Sequence, residues 1–508
     1  MMTHAVCTVL AALALARLDA YEGPSFTVTA WRGETAYAVI PDNLALEVAR
    51  SCSGTDAARG PAAAAIADIR LYSVEPTPYT EKPFGEQLSA RLDRLADFPG
   101  SGRPAARAPA VCRVAVKADA RPAVYDLGPL QVRVIDRVLP PPAEWKYYLD
   151  LWQHPWAAAR EAGAEPFSDA HYRALEPVMK TLAECGQKVL TTTLVDLPWN
   201  HQCYDAYHSM VGRVKKADGT WSFDYAVFDE YVEFGRKCGI GPDIACYTMC
   251  PWGYVVRWQD ATGAVQRVRA QPGTPAFEEY WGDFLVDFAR HLKEKGWFEN
   301  TYVAMDERAP DDVRNIVALI QKKAPGLKVS MAGNRKASDF KGIVIDNYCQ
   351  GLDHLSDDCF AELPARRAQG FVTTYYVCCS PQRPNTFMTS SNDEAFWNGV
   401  FPAMAGLDGF LRWAANSWPA DPCANAAFAP WAPGDTFLVY PGGFYSTRLV
   451  NLRDGIVAAE KLRILEERGL FPEEIRKVRG ECDFRAAMAG RSDLASFRRH
   501  VEALVNRP

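Results

Sequence analysis

From residue 147 onward, eight short apolar segments recur, most of them followed by a stretch with helical spacing. They read "YYLDLW", "KVLTTTLVD", "DIACYTM", "TYVAMD", "KVSMA", "GIVIDNY", "FVTTYYVCC" and "GFLRWAA". Apolar strands alternating with amphipathic helices are the pattern of a parallel sheet whose faces are covered by helices. Asp224 stands at the start of a helix whose apolar face is Phe228, Tyr231 and Phe234, and Gly239 ends it. Thr274 and Pro275 open another, with Phe277, Trp281, Phe284, Phe288 and Leu292 on one face and Gly296 as its stop. Leu449, Leu452, Ile456, Leu462 and Leu465 form the last long face. Eight strand and helix units over roughly 330 residues predict a mixed α/β chain built on a (β/α)8 TIM-like barrel with enlarged loops. Only "GNRKASDFK" separates the fifth segment from the sixth, too little for a full helix, so a doubly wound open sheet is the competing arrangement.

The texture before residue 140 is different. "SFTVTAWRGETAYAVI", "ADIRLYSVEP", "CRVAVKADA" and "LQVRVIDRVL" alternate apolar and polar residues between Gly, Pro and Asp turns, which predicts an all-β sandwich over 21–139. The Ala/Gly/Arg-rich pieces 55–65 and 99–110 read as surface loops, and "LPPPAEW" as a stiff linker. The barrel is then expected over 140–475 and a helical tail over 476–508. Residues 1–20 hold an apolar run from Ala5 to Ala16, too short to span a bilayer but suited to a signal peptide, with small residues at 14–16 for cleavage. A secreted or periplasmic protein with no membrane span is the expectation.

Several function classes drop out. A net charge of −6 gives no basic footprint for nucleic acid. There is no P-loop, no G-x-S-x-G elbow and no G-x-G-x-x-G after a strand. The 14 cysteines include no C-x-x-C pair, and no H-E-x-x-H occurs. Cys378 with Cys379, and Cys246 with Cys250, read as packing thiols; His201 and His208, flanking Asp205, read as hydrogen-bonding groups. No metal and no cofactor are expected.

In a barrel of this type the chemistry gathers at the C-terminal ends of the strands. Those positions hold Trp152 and His154; Asp196, Trp199 and Asn200; Tyr247 and Trp252; Asp306 and Glu307; and Asn334. Beyond them come Asp346 and Tyr348, Tyr375 and Tyr376, and Trp413, Asn416 and Trp418. Rings that stack on sugar faces, beside amides and carboxylates that bind hydroxyls, are the mixture a carbohydrate site needs.

Acid–base work then falls to carboxylates, and the adjacent pair Asp306–Glu307 in "TYVAMDERAPDD" is the outstanding candidate. Asp311 and Asp312 fit a helix N-terminus, where the macrodipole favours negative charge. Glycosidases that use two carboxyl groups set them on opposite sides of the scissile bond. Sequence neighbours in a strand point to opposite faces, so only a bend at the strand's end could turn both acids to the mouth. The seventh segment, "FVTTYYVCC", carries no acid that could serve as a separate nucleophile. An adjacent pair suits substrate assistance, in which the sugar's own 2-acetamido carbonyl attacks the anomeric carbon. Two close acids resist double ionisation, so one of them keeps its proton near neutral pH. A two-carboxylate glycosidase with Asp346 or Asp196 as the second group, and a glycan-binding protein without turnover, are the competing functions.

The motifs "YLDLWQHPW", "DLPWNHQ", "AMDERAP", "CCSPQRPNTF", "GFLRWAANSWPADP" and "DTFLVYPGGFYSTRLVNLRDGI" resemble the bacterial domain of unknown function 4091 group, which is related to the family 123 glycoside hydrolases. The resemblance implies a retaining exo-β-N-acetylgalactosaminidase on a barrel with an adjacent Asp-Glu pair, acting on a carbohydrate with a terminal 2-acetamido sugar. It implies Glu307 as general acid/base and Asp306 as the group that orients the acetamide and stabilises the oxazolinium. It also implies a tyrosine near the acetamide oxygen, with Tyr348, Tyr375 and Tyr376 open as candidates, and aromatic walls at Trp413 and Trp418. Trp199, Asn200, Trp252, Asp346 and Asn416 complete the expected substrate-binding set.

Overall fold

The computed structural model describes residues 26–40, 65–81, 88–97, 110–428 and 430–508, together with 44, 45 and 48. The leader expected over 1–20 lies outside the described residues, as do 55–64 and 99–109 of the two expected loops.

The first seven strands are β1 (Phe26–Arg32), β2 (Thr35–Ile40), β3 (Ile66–Thr80), β4 (Leu88–Asp97), β5 (Ala110–Val116), β6 (Ala123–Leu127) and β7 (Leu130–Val138). They form a three-stranded sheet, β1-β7-β6, and a four-stranded antiparallel sheet, β2-β5-β3-β4. Alternating residues such as Val28 and Ala30 of β1, Val132 and Val134 of β7, and Cys112 and Val114 of β5 point inward and share one apolar core. The four-stranded sheet is also fastened to the rest of the protein. Asp93 of β4, fully buried, pairs with Arg448 at 3.0 Å and accepts from Tyr440 at 2.9 Å and Thr447 at 2.9 Å.

The remaining strands are β8 (Tyr148–Leu151), β9 (Val189–Thr193), β10 (Gly212–Lys215), β11 (Trp221–Asp224), β12 (Asp243–Tyr247), β13 (Val255–Asp260), β14 (Val265–Arg269), β15 (Thr301–Asp306), β16 (Lys328–Gly333), β17 (Asn347–Gly351), β18 (Val372–Tyr376) and β19 (Gly409–Arg412). Eight of them form one parallel sheet in the order β8-β19-β18-β17-β16-β15-β12-β9, with helices between, which is the expected (β/α)8 architecture. The open sheet is excluded because the two ends meet. Lys188 N donates to Leu149 O at 2.9 Å, and two buried glutamines stitch the rest of the seam. Gln187 accepts from Leu151 N at 2.9 Å and donates to Val189 O at 2.7 Å; Gln153 accepts from Thr191 N at 2.8 Å and donates to Leu151 O. On the far side of β8, a Cβ at Gly409 would lie 1.8 Å from Tyr148 O, so only glycine permits that approach.

The helix expected from Thr274 runs Pro275–Glu294, with the Thr274 hydroxyl accepting from Phe277 N at 3.3 Å. The helix before β12 runs Ala226–Lys237; Asp224 accepts from Ala226 N at 2.9 Å, one residue earlier than a cap would. Between β16 and β17 the chain makes only a short 3-10 turn, Ala337–Phe340. The loops after β9 and β12 contribute a third small sheet, β11-β10-β13-β14, that the linear pattern did not announce. Arg213 anchors it by lying 3.8 Å from the ring centre of Phe284 on the helix Pro275–Glu294. After β19 come the helices Thr447–Glu467, Pro472–Glu481, Phe484–Met488 and Leu494–Val505, the last of which accepts a hydrogen bond from Trp31 Nε1 at Val505 O, 2.8 Å. No helix among the described residues is long and apolar enough to cross a membrane.

Candidate active site

β15 is buried along its first five residues, as a strand covered on both faces must be, and ends at Asp306. Glu307 then takes φ +51°, the left-handed region that costs a non-glycine residue about 1–2 kcal/mol. That single bend answers the steric difficulty in the sequence. It breaks the strand's alternation, so both carboxylates face one pocket. Glu307 N stays bonded to Ala332 O at 2.7 Å, and Pro310 opens the next helix, Pro310–Lys323, with Asp311 and Asp312 in its first turn.

The pocket encloses about 510 Å³, open solvent at its mouth included. Its polar centre is the acid pair. Glu307 Oε1 accepts from the Tyr376 hydroxyl at 2.7 Å, and Oε2 accepts from Asn334 Nδ2 at 3.0 Å. Burial and then the charge of Glu307 raise the Tyr376 phenol far above its ordinary range, so it remains a donor. Burial, and after it the Glu307 charge, push Asp306 well above the usual carboxylate range. Arg308 and the indole of Trp252 pull weakly the other way. Asp306 therefore resists ionisation and keeps a proton that the pair can share.

Aromatic rings make the walls. Trp152, Trp252, Trp413 and Trp431 all border the pocket, with Gln202, Cys378 and Cys379 beside them. Trp413 Nε1 donates to Asp435 at 2.8 Å, and Asp435 pairs with Arg412 at 2.7 Å; both charges are fully buried. Trp431 meets Trp413 edge-on at 5.5 Å and donates to Gln202 O at 2.8 Å. Trp152 is supported from below by Trp199, stacked at 5.0 Å, and by Tyr247 at 4.5 Å.

Of the expected site residues, the pocket gathers Asp306, Glu307, Trp252, Tyr376 and Trp413. The others sit elsewhere for identifiable reasons. Asp346 precedes β17, at the opposite end of the barrel, where it accepts from Val329 N at 2.9 Å. Tyr348 lies early in the same strand, packs on Phe340 and donates to Arg335 O. Tyr375 takes the other face of β18 from Tyr376 and donates to Asn398. Trp199 is the buried support for Trp152, and Asn200 is an exposed turn residue with φ +54°. Asn416 clamps the backbone of His154 through two hydrogen bonds, and Trp418 is buried with its indole on Val439 O. Asp196 is occupied by Ser209 N and lies outside the pocket, and Asp205 pairs with Arg160. Gln202 and Trp431 were not anticipated; both come from irregular loops, where no periodicity points to the mouth.

The described cysteines form no disulfide. Among the described residues no group of three or more His, Cys, Asp or Glu is arranged to hold a metal ion.

The barrel has known counterparts. Residues 152–465 match the family model "Glycoside hydrolase 123, catalytic domain". A solved family 123 glycoside hydrolase from Clostridium perfringens, described in a study of glycolipid glycan hydrolysis, superposes with a TM-score of 0.80 at 22% identity, covering 97% of each chain. A GH39 enzyme from Xanthomonas axonopodis pv. citri is far more distant, with a TM-score of 0.38 at 13% identity over 63% of this chain and 66% of its own. No curated protein matches the chain. With the catalytic-domain match spanning more than half its length, the chain belongs to glycoside hydrolase family 123.

Proposed function

We propose that this glycoside hydrolase is a retaining exo-β-N-acetylgalactosaminidase that works by substrate assistance. The observation that carries the proposal is the bend at Glu307, which turns two adjacent carboxylates into a pocket whose wall offers no third carboxylate among the described residues. A nucleophile must then come with the sugar.

In this mechanism the acetamide N–H donates to Asp306, which favours its charged form, and the shared proton passes to Glu307. Glu307 delivers it to the glycosidic oxygen while the acetamide oxygen bonds to the anomeric carbon and the leaving group departs. Ionised Asp306 stabilises the resulting oxazolinium. Glu307 next takes a proton from water, which attacks the same face the leaving group vacated, and the β configuration is retained. Trp152, Trp252 and Trp413 supply the apolar faces that hold the ring. Tyr376 is the one tyrosine of the expected three that borders the pocket, which supports it as the acetamide-side hydroxyl.

A screen of aryl β-glycosides differing only at the 2-position and in C4 configuration tests the proposal. Release from the 2-acetamido-β-galactoside, with little from the 2-hydroxy analogue, is expected; equal cleavage of both would falsify substrate assistance. Export to the periplasm or medium is part of the same proposal, on the strength of the apolar run from Ala5 to Ala16, and N-terminal sequencing of the mature protein tests it.

A further inference from the structure

The wall beside the acid pair carries two adjacent thiols that the proposed hydrolysis does not use. Cys378 and Cys379 follow β18 and border the pocket next to Glu307, Tyr376 and Trp413. Their sulfur atoms stand 3.8 Å apart. The turn that presents them is fastened at each peptide: Cys378 N donates to Ser380 O at 3.0 Å, Cys378 O accepts from Asn385 Nδ2 at 2.9 Å, and Cys379 O accepts from Gln382 Nε2 at 3.2 Å. Cys379 is exposed and Cys378 half-buried, whereas most of the other described cysteines are buried.

We propose that Cys378 and Cys379 form a dithiol capture site in the pocket wall for a trivalent arsenical bearing one carbon substituent. The spacing is within easy reach, since two sulfurs bound at about 2.3 Å each to one pyramidal soft centre lie roughly 3.3–3.5 Å apart, a small closure of the observed contact. A metal ion that needs three or four protein ligands is poorly served, because no such group exists among the described residues. An arsenical of this kind needs two sulfurs and nothing more. Two S–As bonds form, the arsenic–oxygen double bond breaks, and the oxygen leaves as water with both thiol protons. Arsenic stays trivalent, so no oxidant or reductant is involved. Cys379 is the more exposed of the two thiols, and the contact with Cys378 favours its thiolate, which makes Cys379 the first nucleophile.

The test treats the reduced, full-length protein with one equivalent of phenylarsine oxide. Intact mass should show one arsenical per chain that survives excess 2-mercaptoethanol and is removed by dithiothreitol. Alkylation mapping of the loaded wild type should find Cys378 and Cys379 shielded and the remaining accessible thiols modified. Cys378→Ser and Cys379→Ser should each weaken retention about 100-fold, the loss expected when two-point attachment becomes one-point. Cys423→Ser, which alters an exposed thiol elsewhere, should retain it. Release by the monothiol, or shielding that falls on other cysteines, overturns the proposal. The wild-type map decides the matter even if a serine variant folds poorly.

Discussion

The Tyr376 hydroxyl donates to Glu307 Oε1 at 2.7 Å, joining the end of β18 to the end of β15 across two intervening strands. Asn334, the residue that follows the end of neighbouring β16, fills the second oxygen. The general acid of the proposed mechanism is thus aimed from two strands at once, which is the preorganisation that transition-state stabilisation requires. Tyr376→Phe should lower kcat/KM by about 10- to 100-fold with the fold unchanged. Steady-state kinetics beside a circular-dichroism melt checks this, and an unaltered kcat/KM would mean that the contact positions nothing.

The two acids should fail differently. Glu307→Gln removes the transferable proton, so turnover of an aryl 2-acetamido-β-galactoside should fall by about 10³-fold or more. Asp306→Asn should cut turnover and also weaken binding of a thiazoline mimic of the oxazolinium, because the neutral amide cannot balance its charge. Calorimetry with the thiazoline separates the variants, and equal affinities in wild type and Asp306→Asn would remove Asp306 from its proposed role.

Asp150 lies on β8, two residues before the pocket residue Trp152, and is buried; burial first of all pushes its carboxyl up to about 7. A raised folded-state value means that the native protein binds the extra proton. Its stabilising contribution is complete below the unfolded value near 4 and is lost as pH rises through about 7. Asp150→Asn has no such loss. Its Tm relative to wild type should therefore be about 2–4 °C more favourable at pH 8 than at pH 5. Parallel melting curves across that range would contradict the assignment.

Asp93 and Arg448 tie the N-terminal sheets to the barrel through a fully buried pair. Asp93→Ala leaves the guanidinium unpaired and should cost about 3–5 kcal/mol. Urea unfolding followed by tryptophan fluorescence should show a lower midpoint. A change below about 1 kcal/mol would mean that water replaces the carboxylate without difficulty.

Much of the barrel was legible because β15, β16 and β12 are apolar on both faces and bounded by polar turns. "TYVAMD" coincides with its strand residue for residue. Where the pattern failed, parity or extent was at fault. In "GIVIDNY" the apolar residues end at Ile345, and an apolar stretch does not say where the ladder begins. The observed strand starts at Asn347, paired with Ser330, so Asp346 moved from the expected mouth to the base, while Tyr348 turns its hydroxyl to Arg335 O and away from the pocket. In "TYYV" the alternation requires that one tyrosine face in and one out, yet it does not say which, and register alone gave the place to Tyr376. Trp199, Asn416 and Trp418 are polar or amphipathic residues near a strand end whose partners are backbone groups or other rings. The sequence does not distinguish that duty from holding a sugar. Gln202 and Trp431 come from loops whose course is set by contacts distant in the chain.

The two glutamines at the β8–β9 seam carry a consequence for how the molecule moves. Gln153 is the next residue after Trp152, so a ring that borders the pocket and an amide that closes the barrel ride on one peptide. Any slippage between β8 and β9 would therefore tilt that ring. Under the proposed function the pocket becomes a gauge of barrel closure, loosening its hold on the sugar as this joint breathes.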